Sequence, residues 1–148
     1  MFPDKPITVR KLRDYDRAFQ NDDTINLSAQ DQLPTYIHET MHFIEEWSPH
    51  VHKRCVEFLR HRTQGEEPQS LKKLTGMNFD SYEMTRPDKF FDPYCGKAYE
   101  RTLQGVREVT ATEILSMGVE RLIKNPVRFL REDPEYATMC LGIIRGNL

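Results

Sequence analysis

No stretch of this chain approaches the roughly 18 consecutive apolar residues that a membrane-crossing helix requires, so no membrane partner is expected. The opening Met1-Phe2-Pro3-Asp4-Lys5-Pro6 has no apolar leader core, which points to a cytoplasmic protein unless export is leaderless. Cysteine is scarce: Cys55, Cys95 and Cys140 are odd in number and show no Cys-x-x-Cys spacing. That argues against a disulfide framework and against a thiolate zinc knuckle, leaving reduced thiols. Excess charge is lacking too, because 21 Lys and Arg stand against 23 Asp and Glu for a net charge of −2. Without a basic tract there is no electrostatic footprint for nucleic acid. No repeat or low-complexity tract divides the sequence, and its 148 residues suit one domain, 1–148, with a modest core.

Against these absences stands one dense segment, Tyr36-Ile37-His38-Glu39-Thr40-Met41-His42-Phe43-Ile44-Glu45-Glu46. On an α-helix, positions i and i+4 share a face, so His38 and His42 can aim their imidazoles at one ion with Glu39 beside them. Zinc takes neutral imidazole readily, and a catalytic zinc site typically has three protein ligands and a water. The ion lowers the pKa of that water toward about 7, and a neighbouring carboxylate, here Glu39, can take its proton and pass it to a leaving amine.

The flanking residues support a helix. Pro34 suits a first turn and Ser48-Pro49 closes the segment, which predicts a helix over Leu33–Trp47. Ile37, Met41 and Ile44 form a core-facing flank, leaving the histidine face to a cleft. Upstream, Arg17–Phe19 and Thr24–Leu27 read as short strands around the polar turn Gln20–Asp23.

A third ligand must come from another element, since three ligands on one straight helix are unable to surround a tetrahedral ion. Arg107–Glu120 reads as a second helix with Glu113, Ser116, Met117 and Glu120 on one face and Leu115, Val119 and Leu122 on another. Glu113 ranks first as the ligand, ahead of Glu108, Glu120 and Glu45.

His38-Glu39-x-x-His42 followed by Glu113-x-x-Ser116 resembles the gluzincins, the thermolysin-like zinc peptidases. That resemblance implies a zincin-like fold, zinc held by His38, His42 and Glu113, and Glu39 as general base. Glu113–Glu120, Tyr94–Tyr99 and Asp133-Pro134-Glu135-Tyr136 are also similar to metallopeptidase domains of phage head-morphogenesis and related bacterial proteins. The two likenesses together span residues 24–46 and 94–146. Two departures stand out. Thr112 replaces the asparagine usual before the ligand glutamate, and Met117 replaces the aspartate that steadies the first histidine, so support must come from Glu46, Glu108 or Glu120.

Elsewhere, Ser48 to about Thr63 reads as a helix with Val51, Cys55, Phe58 and Leu59 as its apolar stripe. His50, His52 and His61 read as surface histidines. Residues 66–92 are polar and weakly periodic, with a short helix expected at Ser70–Leu74 and a hairpin through Tyr82–Met84 and Lys89–Phe91. A segment this long suggests a lid over the metal. Tyr94, Lys97 and Tyr99 follow it and are candidate oxyanion donors, with half-buried packing the equal alternative. Asn125-Pro126 and Asp133-Pro134-Glu135 start two closing helices, the second with a stripe of Tyr136, Cys140, Ile143 and Ile144.

The expectation is an α+β domain, mostly helical, with a small antiparallel sheet near the N-terminus whose free edge could receive an extended peptide. The expected activity is zinc-dependent hydrolysis of a peptide or protein substrate. Two alternatives remain: an inactive zincin-like module within a larger assembly or parent polypeptide, and a zinc hydrolase or toxin-like effector acting on a non-peptide substrate.

Overall fold

A computed structural model of the chain describes residues 6–13 and 17–147. The opening Met1–Lys5 lies outside the described residues. The class is α+β, with a helical majority and small separate sheets. No helix among the described residues is long and apolar enough to cross a membrane.

Strands β1 (Thr8–Lys11), β2 (Phe19–Asn21) and β3 (Thr24–Leu27) form a sheet in the order β1-β3-β2. The β2–β3 hairpin is antiparallel, turning where Asp22 takes φ 48°, a conformation that Asp tolerates better than most residues. The sheet is mixed, because β1 runs parallel to β3. Among the described residues, β2 is an edge strand with no second neighbour.

Helix α1 spans Leu33–Trp47 with Pro34 in its first turn, and α2 spans Pro49–Arg62, both as the sequence predicts. Ile37, Met41 and Ile44 pack against the main core, while Phe43 is buried one residue beyond His42. The α2 stripe Val51, Cys55, Phe58 and Leu59 is buried as expected.

Two sequence expectations are corrected. Residues 107–112 are not helix but the bulk of strand β7 (Val106–Thr112), which pairs antiparallel with β6 (Ala98–Leu103). Gln104 and Gly105, both at positive φ (49° and 81°), make the two-residue turn of a type I′ hairpin. The β-branched residues Val106, Val109, Thr110 and Thr112 favour the strand over the helix. The expected hairpin at Tyr82–Phe91 is also absent, because β5 (Met84–Thr85) pairs instead with β4 (Gln69–Ser70), just before α3 (Leu71–Thr75).

A short 3-10 turn at Pro93–Gly96, capped by the Asp92 carboxylate, leads into β6. Helix α4 (Ile114–Lys124) then packs along α1, followed by α5 (Pro126–Glu132) and α6 (Pro134–Ile144). Asp133 caps α6 through the Tyr136 N–H, at 3.1 Å. The wholly buried Tyr136 ring centres an aromatic cluster with Phe58, Phe90, Phe91 and Phe129, and its hydroxyl donates to the Ile114 carbonyl at 2.5 Å. Gly118 permits this approach, since a Cβ there would strike Cys140 Sγ and the Tyr136 ring. The three cysteines are free and buried, and burial pushes their thiols up, so they serve as packing groups.

Candidate metal centre

The α1–α4 packing brings the two halves of the motif together. His38 and His42 face the start of α4, where Glu113 occupies the N-cap position with its side chain free of any capping bond. His42 Nε2 lies 3.2 Å from His38 Nε2, and Glu113 Oε2 lies 3.3 Å from His38 Nε2 and 3.1 Å from His42 Nε2. These nitrogens and oxygen form a near-equilateral triangle of groups able to hold one metal ion, and no fourth ligand joins them among the described residues. Glu113 is wholly buried. A buried carboxylate without a cation would be costly, so the site is built around positive charge.

Two of the three groups, Glu113 and His38, are held by neighbours outside the triangle. Ser116, one turn into α4, donates to Glu113 Oε2 at 3.0 Å, and the Tyr99 hydroxyl donates to Oε1 at 2.7 Å. Glu120, two turns along the same helix, meets His38 Nδ1 at 3.0 Å and is itself bridged by Lys124. This contact fixes which His38 nitrogen faces the centre. Of the three acids considered for that support, Glu46 accepts from Gln20 and Glu108 pairs with Arg101, so Glu120 supplies it.

The electrostatics follow from the geometry. Burial opposes charging His38, but the hydrogen bonds its imidazole donates to the Glu113 and Glu120 carboxylates outweigh it and raise the imidazole to about 9. Burial likewise pushes Glu113 up, yet the two histidines hold its carboxyl well below the usual range. Without metal, the triad is an ion-paired cluster that a divalent ion would enter by displacing a proton.

Glu39 is buried at 7% exposure, lines the cavity over the triad, and forms no hydrogen bond among the described residues. Burial raises its carboxyl above the ordinary value despite the adjacent histidines. Unpartnered and facing open volume, it is available to a proton.

The cavity, about 840 Å³, runs between the free β2 edge at Ala18–Gln20 and strand β7 at Glu108–Ala111. Tyr94 and Tyr99 line it, their hydroxyls 3.5 Å apart. Both phenols are raised, by burial first and by Glu113 next, so both keep their protons. Lys97 sits behind them: its ammonium donates to Glu83 at 2.6 Å and to Tyr94 Oη at 3.4 Å, and it lines a different cavity. Residues 66–92 form no lid, because none of them lines the metal cavity. They buttress its wall instead, with Phe79 stacked on Tyr94.

Three residues of the site take roles that the sequence does not predict. Glu45, weighed there as a ligand, is instead buried and accepts from the Thr112 N–H and Oγ1, each at 3.0 Å. His52, read as a surface histidine, bridges Glu45 Oε1 at 3.0 Å and the Val109 carbonyl at 3.1 Å. Both its nitrogens therefore face acceptors, which favours the imidazolium. Arg17 donates to Tyr94 Oη at 2.6 Å. His50 and His61 are exposed, as expected.

Comparison of the chain with protein-family models, with curated proteins and with solved structures finds no match. The case for the site is carried by its own side chains.

Proposed function

We propose that this chain is a zinc-dependent peptidase of the gluzincin kind. The observation that carries the proposal is the convergence of His38, His42 and Glu113 at 3.1–3.3 Å beside an unpartnered, cavity-facing Glu39. Zinc bonds of about 2.0–2.1 Å arranged tetrahedrally separate neighbouring ligand atoms by about 3.3 Å, which is the spacing here. Two imidazoles and one carboxylate are also a donor set that zinc favours, leaving one position toward the cavity. Zinc so held would supply a Lewis acid that polarises the substrate carbonyl and acidifies a water.

Glu39 then takes the proton of the attacking water as the new C–O bond forms, and delivers it to the amine nitrogen as the C–N bond breaks. Its raised basicity suits both transfers. Tyr99 is committed to Glu113 and holds that ligand in place. The Tyr94 hydroxyl accepts from Arg17 and is free to donate to the developing oxyanion, with Lys97 reinforcing its polarity from behind. An extended peptide can pair with the free edge of β2, and Phe19 and Gln20 already line the cavity.

The test joins metal content to turnover. About one equivalent of zinc is expected in the purified protein and is lost in His42→Ala. Glu39→Gln should keep the zinc and lower peptide cleavage by about 10²- to 10⁴-fold. Cleavage at the wild-type rate by Glu39→Gln would end the proposal.

A further inference from the structure

A second cavity of about 800 Å³ meets the metal cavity at Arg17 and Tyr99, which line both. The two differ in charge. Around the metal cavity the acids Glu39, Glu45, Glu46, Glu108 and Glu113 outnumber the cations Arg17 and Arg101. Around the second, Arg17, Arg86, Lys97 and Arg107 face Asp80, Glu83 and Glu100. Lys97 is neutralised by Glu83 at 2.6 Å and Arg107 by Glu100 at 3.2 Å. Arg17 and Arg86 have no acidic partner among the described residues.

Arg17 uses one nitrogen on Tyr94 Oη, and its remaining donors have no hydrogen-bond partner among the described residues. A guanidinium placed this way matches a carboxylate, which it can grip through two parallel hydrogen bonds. Contacts of 2.6, 3.5 and 2.7 Å link it through Tyr94 and Tyr99 to Glu113. It therefore lies within about 9 Å of the ligand carboxylate, the reach of two or three extended residues.

We propose that the cavity beyond Arg17 is a substrate subsite for a carboxylate, held by Arg17 and Arg86. Resting on the peptidase reading, this makes the preferred substrate a peptide with an acidic group within two or three residues of the bond cut. That group is either an Asp or Glu side chain or a free C-terminus.

The experiment uses the zinc-loaded protein and matched peptides carrying Glu or Gln near the cleavage site, each as the C-terminal acid or amide. A carboxylate preference of about 10-fold or more in kcat/KM is expected, expressed mainly in KM. The Glu/Gln pair and the acid/amide pair identify which carboxylate is read. Arg17→Gln should bring the ratio close to one, Arg86→Gln should reduce it, and Arg17→Glu should turn the preference toward a Lys peptide. Calorimetric binding of the same peptides to Glu39→Gln protein gives a readout independent of turnover. Arg17-dependent binding of carboxylate peptides without any cleavage by wild-type protein would sink the peptidase reading and keep the subsite. Cleavage with no carboxylate preference, or with one that survives both arginine substitutions, would overturn the subsite alone.

Discussion

The two halves of helix α1 each bury a glutamate, and they use it in opposite ways. In the first half, Glu39 stands beside His38 and His42, lines the cavity and accepts no hydrogen bond among the described residues. In the second half, Glu45 accepts from Thr112 twice and contacts His52, so that α1, α2 and β7 are locked at one carboxylate. Burial alone therefore says little about a buried acid. What separates a group kept for chemistry from one kept for architecture is whether its acceptor positions are filled. The second half also serves the first, because Thr112 adjoins Glu113 and its anchorage fixes the backbone from which Glu113 reaches the histidines.

The strongest challenge to this contrast is Glu45→Ala. It leaves a buried Thr112 N–H and hydroxyl without their partner and strips His52 of its carboxylate, which should cost about 3 kcal/mol of stability by denaturant melt. A variant as stable as wild type would show that the clamp is incidental. A smaller effect is expected at Glu120, which orients His38 but lies at the rim. Glu120→Gln should weaken zinc binding by about 10- to 100-fold in a chelator competition while leaving the melt of metal-free protein nearer to wild type than Glu45→Ala does.

Acid–base behaviour sharpens the same division. His38, raised to about 9 in the folded chain from an ordinary 6.5, gives the metal-free protein stability that is full below pH 6.5 and fades as pH climbs through about 9. His52, raised chiefly by its hydrogen bond to Glu45, contributes with the same sign. Glu113, held low, gives stability that disappears only in acid. The melting temperature of metal-free protein should therefore drop between pH 6.5 and 9. Zinc-loaded protein should show a shallower drop, since the ion replaces the His38 proton but not that of His52.

Local signals account for what was legible in the sequence. The bounds of α1, the Pro and Asp starts of α5 and α6, and the β2–β3 hairpin all follow from side chains acting on their own backbone. The convergence of His38, His42 and Glu113 was legible through their spacing and resemblance, but not the reason Glu113 points inward. It sits at a strand-to-helix joint, not mid-helix. A period-of-3.6 reading across residues 107–112 passed over the Gln104-Gly105 turn and the run of β-branched residues that mark β7. Glu45, His52 and Arg17 were illegible for a deeper reason. Their roles arise from partners 67, 57 and 77 residues distant, and a lone acid, imidazole or guanidinium looks the same whether or not such a partner exists.

The smallest expected effect tests the first half of α1 on its own. Glu39 is a buried carboxylate whose pKa is raised, so holding it ionised near neutral pH works against the fold, and this penalty fades only as acid protonates it. Glu39→Gln removes the charge at nearly constant shape and should leave the melting temperature of metal-free protein unchanged or slightly higher, although turnover is lost. Glu45→Gln, the same substitution two turns along, should lower it, because there the charge is matched by His52 and the Thr112 donors. Stability given up at a group that activity needs is the mark of a site under functional demand. Equal losses from both glutamine variants would mean that Glu39 is held by the fold as Glu45 is, and the contrast between the two acids would vanish.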